Sequence, residues 1–241
     1  ISWGVPIPIE GLKDKVFYGW FDNHLAYISS TLKFLDDKNI DGKNFWNDAD
    51  IYHFIGKDIV YHHSLFWPSV LKGAGYRKPS GIVVHGFLTV DGQKMSKSRG
   101  TFINASVFAN HVEPDCLRYY FAAKLGPNAD DLDLNMDDFV ARVNSDLVGK
   151  LVNIGSRCGG FVHRLNDGML TEELPDTSLF DEFAAASKEL AADYEARNYS
   201  RAVRKIMALA DKANQYIDEE KPWVKAKNED ETSTVPGIAT L

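Results

Sequence analysis

Residues 81–100 read GIVVHGFLTVDGQKMSKSRG, and the order of elements along the chain follows from them. The first ten are mostly β-branched, aromatic or apolar, which predicts a strand over 81–90. So unbroken a run suits a strand covered on both faces, as in a parallel sheet. Asp91-Gly92 predicts a tight turn. Residues 94–100 then form a loop at a strand's end, with three cations (Lys94, Lys97, Arg99), two hydroxyls (Ser96, Ser98) and Gly100. Lysine ammoniums and serine hydroxyls can surround a polyphosphate, and glycine lets backbone N–H groups come close. By composition alone the same segment reads more readily as a solvated hairpin tip, which is what most Lys-Ser-rich loops are.

On the N-terminal side, short β-type runs at 15–18 and 52–55 flank a helical stretch at 25–35 and a polar loop. Residues 59–76 read as a helix stopped by Gly73 and Gly75, with a kink or break predicted at Pro68. Strands alternating with helices predict βαβ units. On the C-terminal side, 106–110 and 114–125 read as short helices and 126–133 as an acidic loop. From Met136 onward the pattern is helical, over about 136–165, 178–196 and 199–220. The segment from Asn228 to the end is polar and reads as frayed.

An apolar share of 44% and a charged share of 25% are ordinary globular values, which excludes disorder, collagen and coiled coil for the chain as a whole. A chain of 241 residues can bury a core without staples. No apolar run nears the roughly 20 residues that span a bilayer, so no membrane is expected as a partner. The start, ISWGVPIPIEG, has no basic region, cleavage site or Met, and reads as the middle of something longer. Cys116 and Cys158 lack metal spacing and predict buried, inert thiols in a reducing, cytoplasmic setting.

The formal net charge is −7, unevenly spread: residues 1–126 carry 14 basic and 12 acidic side chains, residues 127–241 carry 13 and 22. Binding RNA by bulk charge would need a basic chain, so any RNA site must be a local basic patch. Arg142, Lys150, Arg157 and Arg164 supply a candidate. At about 100° per residue they fall within an arc of about 80° on the 136–165 helix, with Asn153 inside it. A solvated cationic face is the alternative reading.

KMSKS at 94–98 resembles the signature loop of class I aminoacyl-tRNA synthetases, and the five-letter form is highly specific. HFIGKDIVYHHSLFWP (53–68), VHGFLTVDGQKMSKSRGTFI (84–103), GWFD (19–22), LRYYFAAKL (117–125) and EKPWVKAK (220–227) look like the methionyl-tRNA synthetase family, over nearly the whole chain. Class I synthetases also need an HIGH-type motif. Histidines stand at 24, 53, 62, 63, 85, 111 and 163, none of them in His-x-Gly-His. The resemblance therefore implies an α/β fold: the second half of a Rossmann-type parallel-sheet nucleotide-binding domain (1–103), a connecting segment (104–135) and an α-helical anticodon-binding bundle (136–241). A missing N-terminal half becomes an expected partner. The family's zinc-bearing insertion would lie there, so no metal ligand is expected here.

The same resemblance implies the ligands: methionine, ATP with Mg2+, and tRNA(Met). Trp20, Tyr27, His63 and Trp67 match positions lining the methionine pocket, with Asn23 departing from the family's usual Ala and His24 following it. Aromatic walls suit a thioether, since S···ring contacts contribute roughly 0.3–1.5 kcal/mol. A Tyr hydroxyl or His N–H can also approach the sulfur as a weak donor. Gly56 and Asp58 match the ATP ribose region, with His85 near the same nucleotide. Lys97 is assigned to the β,γ-phosphates, assisted by Lys94, Ser96 and Ser98. Asn153 and Arg157 match the anticodon-reading face, and Trp223 an aromatic that stacks on an anticodon base. Two other functions stay open: a sister synthetase for Ile, Leu, Val or Cys, and a catalytically inert tRNA-binding protein on a synthetase-like fold. The aromatic pocket argues against the first and the intact KMSKS against the second.

Overall fold

The computed structural model describes residues 3–96, 100, 102–172 and 174–241; Lys97 and Ser98 lie outside the described residues. The chain forms two compact units, one ending at Phe87 and the other beginning at Leu88.

The first unit contains helices α1 (Gly19–Asp22), α2 (Leu25–Asp36) and α3 (Gly42–Asp48), strand β1 (Tyr52–Gly56), helix α4 (Trp67–Gly73) and strand β2 (Gly81–His85). The 15–18 run makes only an isolated bridge, Val16 to Pro6. Helix α3 occupies what composition suggests is a polar loop. Asp41 starts it by accepting from the Lys43 and Asn44 N–H groups (3.0 and 3.1 Å), and buried Trp46 anchors it, donating from Nε1 to the Arg77 carbonyl at 3.1 Å. Strands β1 and β2 pair in parallel, from Tyr52 opposite Gly81 to Gly56 opposite His85. Along β1, His53 and Ile55 point inward while Tyr52 and Phe54 stay exposed.

A 3-10 turn (Lys57–Ile59) and a π-turn (His62–Phe66) link β1 to α4. In the π-turn the Trp67 N–H reaches back five residues to the His62 carbonyl. Pro68 has no N–H to give, so the helix absorbs it by widening the preceding turn rather than by breaking. Trp67 and Leu71 then close the core against Trp46.

The 81–90 run is not one enclosed strand. Its first half, β2, is only partly buried; its second half, β3 (Leu88–Val90), belongs to the second unit and to a different sheet. Continuous hydrophobicity records that each residue is covered, and it carries no mark of which sheet does the covering.

In the second unit β3 lies between β4 (Gln93–Lys94) and β5 (Leu132–Leu134), antiparallel to the first and parallel to the second. The turn residues Asp91 (φ 48°) and Gly92 (φ 73°) are both left-handed, the pattern of a two-residue type I′ hairpin. Strand β5 falls in the expected acidic loop, and its acid has a task there. Asp133 accepts from Thr89 Oγ1 (2.6 Å) and the Gly92 N–H (2.8 Å), while Asn135 Nδ2 donates to Asp91 at 3.0 Å. The hairpin leading into 94–100 is therefore pinned at its root.

The Thr89 and Gly92 hydrogen bonds hold the Asp133 carboxyl below the usual carboxylate range. The anchoring is accordingly present above that range and lost as pH falls through the lowered value. Asp133→Asn is expected to speed hydrogen exchange of the Gly92 amide several-fold at neutral pH, leaving amides around buried Tyr120 unchanged. Equal protection in variant and parent would remove Asp133 from this role.

The helices of the second unit are α5 (Ala105–Ala109), α6 (Pro114–Lys124), α7 (Met136–Arg142), α8 (Asn153–Leu165), α9 (Ser178–Glu195), α10 (Tyr199–Glu220), α11 (Pro222–Lys225) and α12 (Val235–Thr240). A ten-residue π segment, Val143–Val152, joins α7 to α8. Phe108, Tyr120, Leu134 and Phe139 form the core. Tyr120 is fully buried and its hydroxyl donates to Asp138 (3.0 Å), which Lys124 also pairs with (2.7 Å). The end of the chain is not frayed: Val235 and Ile238 of α12 are buried, and α12 packs on α8. Four apolar or small residues in VPGI suffice to dock a single turn, a signal that the acidic average of the tail conceals. Cys158 is buried, and burial pushes its thiol pKa up; Cys116 is half-buried. No helix among the described residues is long and apolar enough to cross a membrane.

Candidate functional site

The four pocket residues come together in the first unit, with three histidines among them. Tyr27, on α2, meets His63 and Trp67 at ring-centroid distances of 5.9 and 6.2 Å. Trp20, on α1, stacks on His62 at 4.6 Å. His24 fills the space between, stacked on Trp67 (5.5 Å) and edge-on to His63 (4.4 Å). The widened turn at 62–66 breaks the simple four-residue spacing between His63 and Trp67, so they reach Tyr27 from a π-turn and a helix rather than from one helix face.

The hydrogen bonds fix where the protons are. Carbonyls only accept, so His24 Nδ1 donates to the Trp20 carbonyl (2.9 Å) and His63 Nδ1 to that of Ile59 (3.0 Å). The Tyr27 hydroxyl and His63 Nε2 share a hydrogen bond of 3.0 Å. Trp67 Nε1 donates to His53 Nε2 at 3.2 Å. Desolvation, with His63 and His24 as like-charged neighbours, lowers the His53 pKa to about 4; burial likewise lowers that of His24. These imidazoles are neutral at pH 7. No group of His, Cys, Asp or Glu among the described residues is placed to hold a metal.

Gly56, Asp58 and His85 stand at the C-terminal ends of the two parallel strands, where open α/β sheets bind ligands. A Cβ on Gly56 would sit 2.8 Å from Asp58 Oδ1, so only glycine keeps that carboxylate in its position. His85 Nδ1 donates to the Gly86 carbonyl at 2.8 Å, and the residue is exposed. In the second unit, Lys94 ends the pinned hairpin and Ser96 follows it.

The basic stripe is divided. The π segment takes up extra residues per turn and re-phases the side chains along it. Lys150 and Arg157 turn to α10, pairing with Asp211 (2.8 Å) and Asp218, and Asn153 Nδ2 donates to Asn214 Oδ1 at 3.0 Å. Arg164 instead folds back on the Gly160 carbonyl. Arg142 is among the charges acting on Tyr119, whose hydroxyl donates to Asp146 at 2.6 Å. Lys150 at the end of the π segment and Asn153 and Arg157 on α8 thus form a ladder to α10. Arg157 does meet Trp223: the guanidinium lies 4.9 Å from the indole centroid, and the ring remains 39% exposed. Lys221, left-handed at φ 47°, ends α10, and Pro222 starts the turn that presents Trp223.

Sequence reasoning left out Asp211, Asn214 and Asp218, though a signal existed: their spacing of three and four repeats that of Lys150, Asn153 and Arg157. His53 could have been found from the alternation of β1. Nothing local marks His24, which stands at the start of α2 and meets its partners only in the folded unit.

The first unit thus holds a parallel strand pair with a glycine and a carboxylate at its carboxyl end beside a cluster of aromatic and histidine rings, and the second holds the hairpin that leads into KMSKS and an Arg–Trp contact. The chain belongs to the family described as tRNA synthetases class I (M), which matches residues 1–159. Its fold is similar to that of Mycobacterium tuberculosis methionyl-tRNA synthetase in complex with methionyl-adenylate, with a TM-score of 0.83 and 27% identity over 99% of this chain and 47% of that one. A second structure of the M. tuberculosis enzyme, also bound by methionyl-adenylate, gives 0.80 and 28% over 100% and 47%; the apo form gives 0.78 and 25% over 98% and 46%. The chain spans a little under half the length of the structures it matches.

Proposed function

We propose that these residues are the KMSKS-bearing part of a cytoplasmic methionyl-tRNA synthetase, an aminoacyl-tRNA ligase. It would activate methionine with ATP, taken as its magnesium complex, and transfer the methionyl group to tRNA(Met). The observation that carries this reading is the similarity to a methionyl-adenylate complex along virtually the whole chain. In the first step the methionine carboxylate attacks the α-phosphate of ATP; the P–O bond to the leaving group breaks, giving methionyl-adenylate and pyrophosphate. A terminal tRNA hydroxyl then displaces AMP from the acyl carbon.

The attacking groups come from the substrates, so the protein acts by positioning and by stabilising charge on the phosphates. Trp20, Tyr27, His63 and Trp67 would hold methionine, with His24 and His53 behind them. Gly56, Asp58 and His85 would hold the nucleoside. Lys97 and Lys94, with Ser96 and Ser98, would stabilise the departing β,γ-phosphates. Asn153, Arg157 and Trp223 would read the anticodon. An HIGH motif would come from an N-terminal half outside these 241 residues, and any zinc of the enzyme would belong there too.

ATP–pyrophosphate exchange tests this directly. The purified chain is expected to exchange at background at any methionine concentration, and to gain methionine-dependent exchange when the HIGH-bearing half is added. Exchange by the chain alone contradicts the division of the clamp. Exchange by the reconstituted pair that depends on another amino acid contradicts the substrate.

A further inference from the structure

We infer that Lys124, the last residue of α6, is a positioning residue for the KMSKS loop: by holding the Asp133 main chain it keeps the Asp133 carboxylate against the turn of the hairpin that leads into the loop. The inference rests on the function proposed above for what the loop does; the holding itself stands on the geometry of the second unit.

Asp133 is bound on two sides. Its carboxylate accepts from Thr89 Oγ1 on β3 (2.6 Å) and from the Gly92 N–H in the turn (2.8 Å). Its carbonyl accepts from Lys124 Nζ at 3.2 Å and lies 3.2 Å from the Tyr120 hydroxyl. Asn135 repeats the arrangement: its N–H donates to the Tyr120 oxygen at 3.3 Å, and its Nδ2 donates to Asp91 at 3.0 Å. Strand β5 is three residues long and pairs with β3 alone, so its ladder is a weak anchor and the contacts to α6 supply the rest.

Tyr120 cannot do this by itself. Its hydroxyl has one proton and three acceptors in reach, Asp138 at 3.0 Å and the Asp133 and Asn135 carbonyls at 3.2 and 3.4 Å. Lys124 brings the missing donors. An ammonium has three N–H bonds, and here they find the Asp138 carboxylate (2.7 Å), the Asp133 carbonyl (3.2 Å) and the Tyr120 oxygen. Nζ also lies 4.2 Å from the centroid of the buried Tyr120 ring, which favours a cation. Burial opposes the charge, but the hydrogen bonds with Asp138 and Tyr120 outweigh it and raise the Lys124 pKa, so the ammonium is charged at neutral pH.

The hub is itself fixed at both ends. Asn135 Oδ1 accepts from the Asp138 N–H at 2.9 Å, which ties the start of α7 to the residue that holds Asp91. The carbonyl of Leu125, next to Lys124, accepts from the Ser200 N–H at 2.9 Å, which ties the end of α6 to the first turn of α10. Removing the ammonium leaves the Asp133 carbonyl and the Asp138 carboxylate short of a donor in a partly buried place. Strand β5 then loses its hold on α6, and the carboxylate loses its place under the turn. No step of the reaction proposed above uses Lys124 directly.

Two measurements test this. The first uses the 241-residue chain alone. In Lys124→Met, which keeps an unbranched stem and loses the charge, the Gly92 amide is expected to exchange several-fold faster at pH 7, while amides of α10 around buried Ala210 keep their protection. In an Asp133→Ala background the same substitution should add little at Gly92, because the link is already cut. An unchanged Gly92 amide in folded Lys124→Met, or an equal acceleration in the Asp133→Ala background, overturns the inference.

The second uses the intact enzyme. Lys124→Met is expected to lower kcat for adenylate formation roughly 3- to 30-fold, with the KM for methionine unchanged. In a Lys97→Ala background it should cost less than about 2-fold, since the charge being positioned is gone. A packing residue would lower both backgrounds by the same factor through loss of folded protein, and that result overturns the inference. Should Lys124→Met fail to fold, Tyr120→Phe, which keeps the buried ring and loses the hydroxyl, is expected to speed Gly92 exchange in the same direction; an unchanged amide there overturns it too. A parent enzyme that forms no methionyl-adenylate defeats the proposed function instead, and the exchange data alone then decide the positioning.

Discussion

Replacing Lys97 by Ala in the intact enzyme is expected to lower kcat for adenylate formation by on the order of 10²-fold or more, with little change in the KM for methionine. Negative charge accumulates on the departing β,γ-phosphates as the α-phosphate bond breaks, and an ammonium directed at them matters more in the transition state than in the ground state. The loop's anchor sharpens the expectation. Asp133 and Asn135 pin the hairpin up to Lys94, so the substitution removes a charge beyond a root that stays in place. The methionine side chain is assigned to rings of the first unit, which the substitution leaves untouched. Pre-steady-state adenylate formation and methionine titration on the same variant check both halves. A raised methionine KM with unchanged kcat would move Lys97 out of the phosphate role.

Trp223→Ala in the intact enzyme is expected to lower kcat/KM for tRNA(Met) by roughly 5- to 150-fold, the value of one base–aromatic stack, and to leave ATP–pyrophosphate exchange nearly unchanged. The ring is held from one side by the Arg157 guanidinium and is well exposed, while Pro222 beneath it is buried. It lies outside the core of its unit, so Tm is expected to move little. Arg157→Gln should act alike, because it removes the cation that orients the ring and the partner of Asp218. If instead Tm falls and exchange and charging fall together, Trp223 is a packing residue.

The helices from 114 to 220 were legible because apolar periodicity is a local property, and α6, α9 and α10 end within a residue or two of where the pattern ends. Proline at 68 announced a disturbance, and only the fold shows that a π-turn absorbs it. The strand at 81–90 was legible as extended chain but not as two strands, because partition between sheets depends on β1, 29 residues before, and β5, 44 residues after. Strand β5 and α12 were hidden in acidic segments for a related reason. Three or four apolar residues suffice where tertiary neighbours complete the burial, and composition averages them away.

The candidate site divides in the same way. KMSKS, the aromatic residues and Gly56-Lys57-Asp58 declare a chemistry by residue type and order, and the family match over 1–159 agrees with that declaration. What they do once assembled is set by protons and partners that no spacing encodes. His24 and His53 join the ring cluster from a helix start and a strand, and there they meet His63 and Trp67. The basic stripe, coherent at a uniform helical pitch, is re-phased by a π segment, and two of its four cations pair with acids on α10. Residue type and local periodicity are properties of the chain and survive in the sequence. Pairing, proton order and helix phase arise from contacts between residues far apart along it, and these exist only in the folded protein.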